Sequence, residues 1–342
     1  MPQALKKVGK QTLVMADPPS IIGAACAAGK KESEGPLCRT FDLSYDDTTC
    51  GEKSWEKSES RMIKDVIAKA VAKSNIPQEK IDLIFAGDLL NQCIGTTFGL
   101  RESGIPFYGL YGACSTMAES LSMAAISVEG GFASYAAALT SSHFCSAERQ
   151  YRTPLEYGSQ RTPTAQWTVT GSGAAIVGSG GNGPYITHIV TGKIVDAGIK
   201  DVSHMGAAMA PAAYETISTF FGDTGIRPEQ LDLIVTGDLG AIGRDIVSDL
   251  FSRDGIKLGE RYNDCGLMIF DLEKQKDVEA GGSGCGCSAV VLCGHILNEM
   301  RAGTWNSVLF CGTGALLSPV SSAQGESVPA VCHAVRISNT KG

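Results

Sequence analysis

One cysteine of this 342-residue chain stands where a protein can build a thiolate nucleophile. Cys114 lies in the segment Tyr111–Ser120, at the start of an alanine-rich helical pattern. The first turn of a helix carries the positive end of the helix dipole and unpaired backbone N–H groups, which lower a thiol pKa and stabilise an oxyanion. The pattern predicts either a thioester-forming nucleophile or a small buried residue in a tight strand-to-helix turn, and the sequence leaves both open.

A cysteine nucleophile needs a base or an oxyanion donor from elsewhere in the chain. Among the five histidines, His143 ends an apolar strand-like run and can point into a site at the carboxyl end of that strand. His188 and His295 fall within regular elements, which favours packing or surface roles, while His204 and His333 are undecided.

The segment 148–168 is long, irregular in pattern and rich in Arg, Tyr and Gln. Its Arg149, Arg152 and Arg161 suit carboxylates, because a guanidinium group binds them in a planar fork, and Trp167 suits a flat ring. This pattern favours a ligand-binding loop, with a subunit-interface or surface loop as the alternative.

Composition excludes several classes of function. There are 29 Lys and Arg against 36 Asp and Glu, so no basic face for nucleic acid is expected. No apolar run reaches the roughly 18 residues of a membrane span, and the N-terminus lacks the apolar core and cleavage site of a secretory signal. We therefore expect a cytoplasmic protein.

The 12 cysteines are spread along the chain and several lie in apolar runs, which indicates reduced, mostly buried thiols. The closest cluster of metal-binding residue types, Cys285, Cys287, Cys293 and His295, lacks the paired Cys-x-x-Cys spacing of a zinc site, so we predict no metal site. The Gly-rich segments match neither the dinucleotide nor the P-loop motif, and we expect no nucleotide cofactor.

An internal repeat organises the elements that must position these residues. The segments Ile76–Leu90 and Ile226–Gly240 are identical at about half of their positions. In each, a proline-containing turn precedes a short apolar run, 81–86 or 231–236, that ends at Gly-Asp and predicts a buried strand. Helical patterns precede both runs, around 62–71 and 214–221.

A second correspondence is independent of the first. Cys114-Ser115 and Cys287-Ser288 each open an apolar helical pattern that ends 16 residues later, near Gly130 and Gly303, and a strand-like run follows, 134–139 or 307–311. Helices that alternate with buried strands predict the α/β class, with mixed sheets buried at the centre. The Gly- and Pro-rich segment 180–184 predicts the division into an N-terminal half, 1–183, and a C-terminal half, 184–342.

The duplicated halves, the cysteine at a helix start and the closing segment Leu309–Leu317 together resemble the thiolase superfamily, especially the ketoacyl synthases that initiate fatty-acid synthesis. Within it, the whole chain is similar to the stage V sporulation protein AD family of spore-forming Firmicutes. The resemblance implies a thiolase-like five-layered αβαβα subunit built from two pseudo-repeated halves, a homodimer, and Cys114 in the nucleophile position.

The chain departs from the synthases where their chemistry resides. The His of their His-Gln-Ala-Asn-like segment is absent from Thr236–Gly240, and the Asn of the next motif is absent from the turn Ser283–Ser288. Without these groups a developing enolate is not stabilised. We therefore expect a thiolase scaffold without thiolase chemistry, the alternative being an acyltransferase or ketoacyl-synthase-like enzyme that uses Cys114, and a third being a structural scaffold with a vestigial pocket.

The resemblance to the sporulation family implies binding of dipicolinic acid, a flat pyridine dicarboxylate stored with calcium in the spore. It also implies uptake into the developing spore and release on germination, in the forespore and at the inner spore membrane, through membrane partner proteins. Asp88 and Asp238 would repel a bare dianion, so they are compatible with the ligand only if calcium enters with it or if they orient donors rather than touch it. The residues expected to border the ligand are Cys114, His143, Arg149, Arg152, Arg161, Trp167, Asp88, Asp238 and Ser283.

Overall fold

The duplicated sequence pattern corresponds to a duplicated set of strands and helices in a computed structural model that describes residues 6–151 and 161–341. The elements of the first half are β1 (Lys7–Val8), β2 (Thr12–Val14), β3 (Ser20–Ala28), α1 (Lys30–Ser33), β4 (Leu43–Ser44), α2 (Trp55–Ser74), β5 (Leu83–Gly87), α3 (Ile94–Leu100), β6 (Phe107–Gly109), α4 (Thr116–Glu129), β7 (Tyr135–Ser142), α5 (Phe144–Tyr151), β8 (Trp167–Thr168) and β9 (Gly171–Gly178). Those of the second half are β10 (Tyr185–Val190), α6 (Met205–Thr224), β11 (Leu233–Thr236), α7 (Gly240–Arg253), β12 (Tyr262–Asp264), α8 (Cys265–Ile269), β13 (Gly282–Ser283), α9 (Cys285–Val291), α10 (Leu297–Ala302), β14 (Ser307–Ala315), α11 (Pro319–Ala323) and β15 (Ala330–Ser338).

The strands of the two halves follow the same order. The first half runs β6-β5-β7-β9-β3 and the second runs β12-β11-β14-β15-β10. In each, the first three strands are parallel and the next two are antiparallel to their neighbours. The two sets meet where Tyr185 of β10 pairs with Ser20 of β3.

Helices separate and cover the two sets of strands. α4 and α9 pack on strands of both halves, α2 and α3 cover the outer side of the first set, and α6 and α7 cover that of the second. This gives the five layers α-β-α-β-α and confirms the predicted α/β class. α4 buries residues around most of its circumference, as a helix between two sheets must.

Local signals set where the long outer helices begin and end. The hydroxyl of Ser54 caps α2 by accepting a hydrogen bond from the Lys57 N–H. Asn75 and Gly225 end α2 and α6 in the left-handed conformation that a helix C-cap requires.

The predicted strands and helices are confirmed, with shifted ends. The runs at 81–86 and 231–236 form β5 and β11, which begin two residues later than their apolar runs. The second cysteine-led helix begins at Cys285 rather than Cys287 and continues through a π-helical turn, Leu292–Ile296, into α10. The predicted division at 183/184 falls between β9 and β10. Within the described ranges, no helix is both long enough and apolar enough to cross a membrane.

The central layer should carry much of the stability. Leu121 of α4 is fully buried, whereas Met123 of the same helix is 38% exposed. Leu121→Ala should lower the free energy of unfolding by about 2 to 5 kcal/mol, because it leaves a cavity between two sheets. Met123→Ala is the matched control and should cost less than about 1 kcal/mol. Equal losses in denaturant unfolding would contradict this account of the central layer.

Candidate functional site

A cavity of about 270 Å³ opens at the position of Cys114. Its walls come from both halves of the chain and are mainly apolar, with Leu89 and Ala147 from the first half and Met205 and Leu317 from the second. Its volume lies near the lower end of the ~300–1,000 Å³ typical of ligand pockets, which suits a small ligand.

Tight backbone turns place Cys114 at this cavity. The residue sits in a single 3₁₀ turn, Ala113–Ser115, directly before α4. Ala113 has a φ of 51°, in the left-handed region that non-glycine residues rarely adopt, and this turns the following thiol toward the cavity. Gly314 permits the approach of β14, because a Cβ there would lie 2.6 Å from the carbonyl oxygen of Gly112.

A buried carboxylate lies against the Cys114 thiol. Asp238 is fully buried and accepts hydrogen bonds from Thr313 Oγ1 at 2.8 Å, Gly284 N at 2.9 Å and Ser283 Oγ at 3.4 Å. The carboxylate also lies beside the thiol of Cys114 and acts on it electrostatically. Burial raises the pKa of Asp238 to about 6, although these hydrogen bonds oppose the shift.

The turn that carries Asp238 is itself held by a second buried carboxylate. Asp264, at the end of β12, accepts hydrogen bonds from Leu239 N at 2.8 Å and Gly240 N at 2.9 Å. The same carboxylate caps α8 by accepting from Gly266 N. The Gly-Asp-Leu-Gly turn after β11 is therefore fixed relative to the neighbouring strand.

The thiol of Cys114 is held in its neutral form. Burial raises its pKa well above the usual range, and the negative charge of Asp238 and the neighbouring Cys285 act in the same direction. Of the two alternatives that the sequence left open, this state agrees with the small buried residue, because loss of hydration and a nearby carboxylate outweigh the helix dipole.

His143 lies apart from the cavity lining. Its side chain is 1% exposed, accepts from the Cys145 N–H at Nδ1 and bonds the Thr48 carbonyl oxygen through Nε2 at 2.7 Å. Burial lowers its pKa to about 4. His143 is thus a neutral side chain that hydrogen-bonds backbone groups. Within the described ranges, none of the other four histidines lines the cavity either.

The polar groups of the cavity wall are mostly hydroxyls. Tyr111 and Tyr151 bring their hydroxyl oxygens within 2.6 Å of each other, and both bond the carbonyl oxygen of Leu89. Thr168 donates to Glu148 Oε1 at 3.3 Å, and Glu148 is the charged residue of the described lining. The two tyrosines and Glu148 were not singled out from the sequence, although all three lie in segments that were.

The basic and aromatic residues predicted at the site divide into two groups. Arg161 Nη1 lies 3.8 Å from Glu148 Oε1, directly behind the cavity wall, and its guanidinium lies over the ring of Trp167 at 5.4 Å. Arg149 instead pairs with Glu56 on the outer surface. Arg152 lies outside the described residues.

The structure therefore brings part of the predicted set together. Cys114 and Ser283 line the cavity, Asp238 lies beneath them, and Arg161 and Trp167 stand behind the wall. Asp88, His143 and Arg149 are absent from the described lining. Asp88 instead accepts hydrogen bonds from its own loop, and burial raises its pKa.

The described residues contain no group of three or more His, Cys, Asp or Glu side chains that could hold a metal ion. All 12 cysteines belong to this part of the chain and are free thiols, ten of them buried.

Comparison with solved structures places the fold. The chain is similar to 3-oxoacyl-[acyl-carrier-protein] synthase III of Aquifex aeolicus, with a TM-score of 0.58 and 14% identity over 94% of this chain and 99% of that one. It is also similar to OleA of Xanthomonas campestris, with a TM-score of 0.60 and 16% identity over 94% and 98% of the two chains. At these identities the likeness establishes a thiolase-like fold alone.

Comparison of sequences is more specific. The family model of stage V sporulation protein AD (SpoVAD) matches residues 9–338. The stage V sporulation protein AD of Bacillus subtilis (strain 168) is 46% identical over 331 residues, which cover 97% of each chain. With the thiolase-like fold and the altered nucleophile site, these matches establish that the chain belongs to the stage V sporulation protein AD family.

Proposed function

We propose that this protein is a non-catalytic receptor that binds dipicolinic acid in the Cys114 cavity, for uptake into the developing spore and release on germination. Membership of a sporulation family supports the biological setting. The retained cavity, with a changed set of polar groups around its cysteine, supports binding without acyl transfer.

The observation that carries this proposal is the buried carboxylate of Asp238 beside the buried thiol of Cys114. Thioester formation requires a thiolate, and a base must take the thiol proton. Here the neighbouring group is a carboxylate, which makes the thiolate less stable rather than more stable. A cavity that keeps its cysteine protonated can bind a ligand but has lost the nucleophile.

The cavity has features that suit a flat dicarboxylate. Apolar walls from Leu89, Met205 and Leu317 suit the faces of a pyridine ring, and the hydroxyls of Tyr111 and Tyr151 can donate to its carboxylates. Glu148 would repel a bare dianion. A calcium complex of the ligand carries no net charge and offers Glu148 a cation, so we include calcium as a co-ligand in the proposal.

The membrane association of this function would come from other proteins. In the proposal the protein acts at the inner spore membrane of the forespore, bound to membrane proteins of the same sporulation system. It delivers the ligand to these partners and receives it from them.

We further propose a homodimer formed through β6. All three residues of this short strand are exposed, and Tyr108 is 60% exposed. The strand pairs with β5 at one edge of the sheet. An exposed edge strand with aromatic side chains can pair with the same strand of a second copy about a two-fold axis, which closes the sheet edge in both copies.

Asp238→Asn should make Cys114 reactive. The substitution keeps the shape of the side chain but removes the negative charge beside the thiol, so the thiol pKa should fall. Each unit of fall raises the thiolate fraction about tenfold. Alkylation of Cys114 by iodoacetamide, followed by peptide mass spectrometry, should therefore be about tenfold faster or more. The exposed Cys38 of the same molecule is the internal control. An unchanged or slower rate at Cys114 would contradict the proposed role of Asp238.

Titration calorimetry should detect saturable binding of dipicolinic acid, with and without calcium, and little binding of benzoate. Leu317→Trp should weaken binding at least about tenfold, or about 1.4 kcal/mol, because the indole fills the cavity. Leu272→Trp, at a side chain that is 37% exposed and outside the described cavity lining, is the matched control and should bind as the wild type does. Cys114→Ala, measured in parallel, should weaken binding, because Cys114 lines the cavity.

Two outcomes would overturn the receptor proposal. The first is no binding up to millimolar ligand under either calcium condition. The second is a covalent acyl adduct at Cys114 after incubation with labelled acetyl-coenzyme A, detected by intact mass, since this would establish the acyltransferase alternative.

Sedimentation of the wild-type protein should give the mass of two 35.8-kDa chains. Tyr108→Lys should yield monomers, because a lysine on an edge strand opposes strand pairing. Phe132→Lys is the control, at a side chain that is 82% exposed beyond α4, and should remain dimeric. A monomeric wild type, or a Tyr108→Lys dimer, would contradict pairing through β6.

A further inference from the structure

One wall of the cavity is formed by the segment 88–96, which runs from the end of β5 into the first turn of α3. The side chain of Leu89 lines the cavity. Its carbonyl oxygen accepts hydrogen bonds from the hydroxyls of Tyr111 and Tyr151 and from Gln150 Nε2 at 3.1 Å. Displacement of this segment would therefore remove part of the wall and release the two tyrosine hydroxyls.

The segment is held closed by the carboxylate of Asp88. One oxygen accepts from Leu90 N at 2.8 Å, and the other accepts from Thr96 N at 2.7 Å and Thr96 Oγ1 at 2.6 Å. Between these anchors, Gln92 and Cys93 have φ values of 60° and 49°, in the left-handed region that is costly for residues other than glycine. The closed conformation thus depends on the bonds to Asp88, since the backbone itself opposes it.

A second buried carboxyl group, from Glu59 of α2, lies beside Asp88. A Cβ placed on Gly95 would be 3.3 Å from Asp88 Oδ2 and 3.3 Å from the carboxyl carbon of Glu59. Glu59 is 1% exposed and accepts from Ser141 Oγ of β7 at 2.9 Å and Ser146 Oγ of α5 at 3.0 Å.

The surroundings of this pair contain no compensating cation among the ion pairs of the described residues. The other titratable groups that face the pair are the thiols of Cys93, from the segment itself, and Cys285, from α9. Burial and the carboxylates raise the pKa of both thiols, so they remain neutral.

Two neighbouring buried carboxyl groups cannot both be charged without a large cost. Asp88 receives two backbone N–H bonds, which favour its ionised form. Glu59 receives only hydroxyls, which can turn and accept a proton instead. Glu59 is therefore the group that carries the proton, and burial followed by the charge of Asp88 raises its pKa to about 8.

We propose that the Glu59–Asp88 pair is a proton-operated latch on the segment 88–96, closed while Glu59 is protonated and loosened when it ionises beside Asp88. The latch would regulate access of a ligand to the cavity, so its biological meaning rests on the proposed function. Its pH-dependent opening does not rest on that function. Repulsion between the two carboxylates then opposes the position in which Asp88 accepts from Leu90 and Thr96. The left-handed backbone at Gln92 and Cys93 then favours opening of the segment.

The direction of the pH effect follows from the raised pKa. The closed form binds the Glu59 proton more tightly than an open, hydrated form, whose pKa is near the usual 4.5. The closed form therefore loses stability relative to the open form as the pH rises from about 4.5 to about 8 and changes little above that value.

Amide hydrogen exchange of the ligand-free protein tests the latch directly. The amides of Leu90 and Thr96, corrected for intrinsic exchange rates, should lose protection by about tenfold or more between pH 6 and pH 8. In Glu59→Gln, which mimics the protonated side chain, their protection should be the same at both pH values. The wild-type series requires no variant and tests the proposal even if Glu59→Gln fails to fold.

Glu32→Gln is the matched control. Glu32 is another buried carboxyl with a pKa raised by burial, to about 7, but its acceptor oxygen bonds Thr170 N rather than the segment 88–96. This variant should lose protection with pH as the wild type does.

Three results would overturn the latch: equal wild-type protection at both pH values, an equally steep fall in Glu59→Gln, or no fall in Glu32→Gln. The ligand plays no part in this measurement. A pH-dependent latch in a protein that binds no dipicolinic acid at either pH would overturn the proposed ligand and leave the latch standing.

Discussion

The helices α4 and α9 lie between the two halves of the sheet, and their burial on both sides fixes where the site can be. All residues of α9 are buried and α4 is buried around most of its circumference, so both run through the centre of the molecule. The turns that lead into them, at Cys114 and at Ser283-Gly284, are thereby brought to one place. The cavity is the space where the two helix starts, each from one half of a duplicated chain, face each other.

The electrostatics of that space decide the state of the cysteine. A helix N-terminus contributes the equivalent of about half a positive charge, worth up to about 2 kcal/mol for a partly buried anion. Loss of hydration can shift the pKa of a fully buried group by about 3 to 5 units, several kcal/mol, and Asp238 adds a negative charge beside the thiol. Burial and Asp238 therefore outweigh the dipole.

The elements of the fold could be predicted from sequence because their signals are local. Apolar runs, Gly-Asp strand ends and the paired cysteine-led helices each lie within a few residues, and the structure reproduces them with shifts of about two residues. The roles of Asp88 and Asp238 could not be predicted in this way. Both follow a glycine at the end of equivalent strands, yet one bonds Thr96 and the other bonds Thr313 and lies beside Cys114.

The difference arises from partners that lie far away in the chain. Thr313 approaches Asp238 only because β14 lies next to β11, and Glu59 approaches Asp88 only because α2 packs on the first set of strands. Tyr111 and Tyr151 likewise meet only through the fold. Sequence patterns identify the strand end as a place for polar side chains, but the packing determines which donor or acid each carboxylate meets.

Two buried acidic groups near the cavity respond to pH in the same direction. Asp238 lies under the floor, with its pKa raised to about 6, and Glu59 stands behind the wall, with its pKa raised to about 8. As the pH rises, Asp238 under the floor ionises first and Glu59 behind the wall ionises second. Under the proposed function, a bare dianion would be repelled by the floor before the wall that retains it loosens, whereas the uncharged calcium complex would respond mainly to the loosening of the wall.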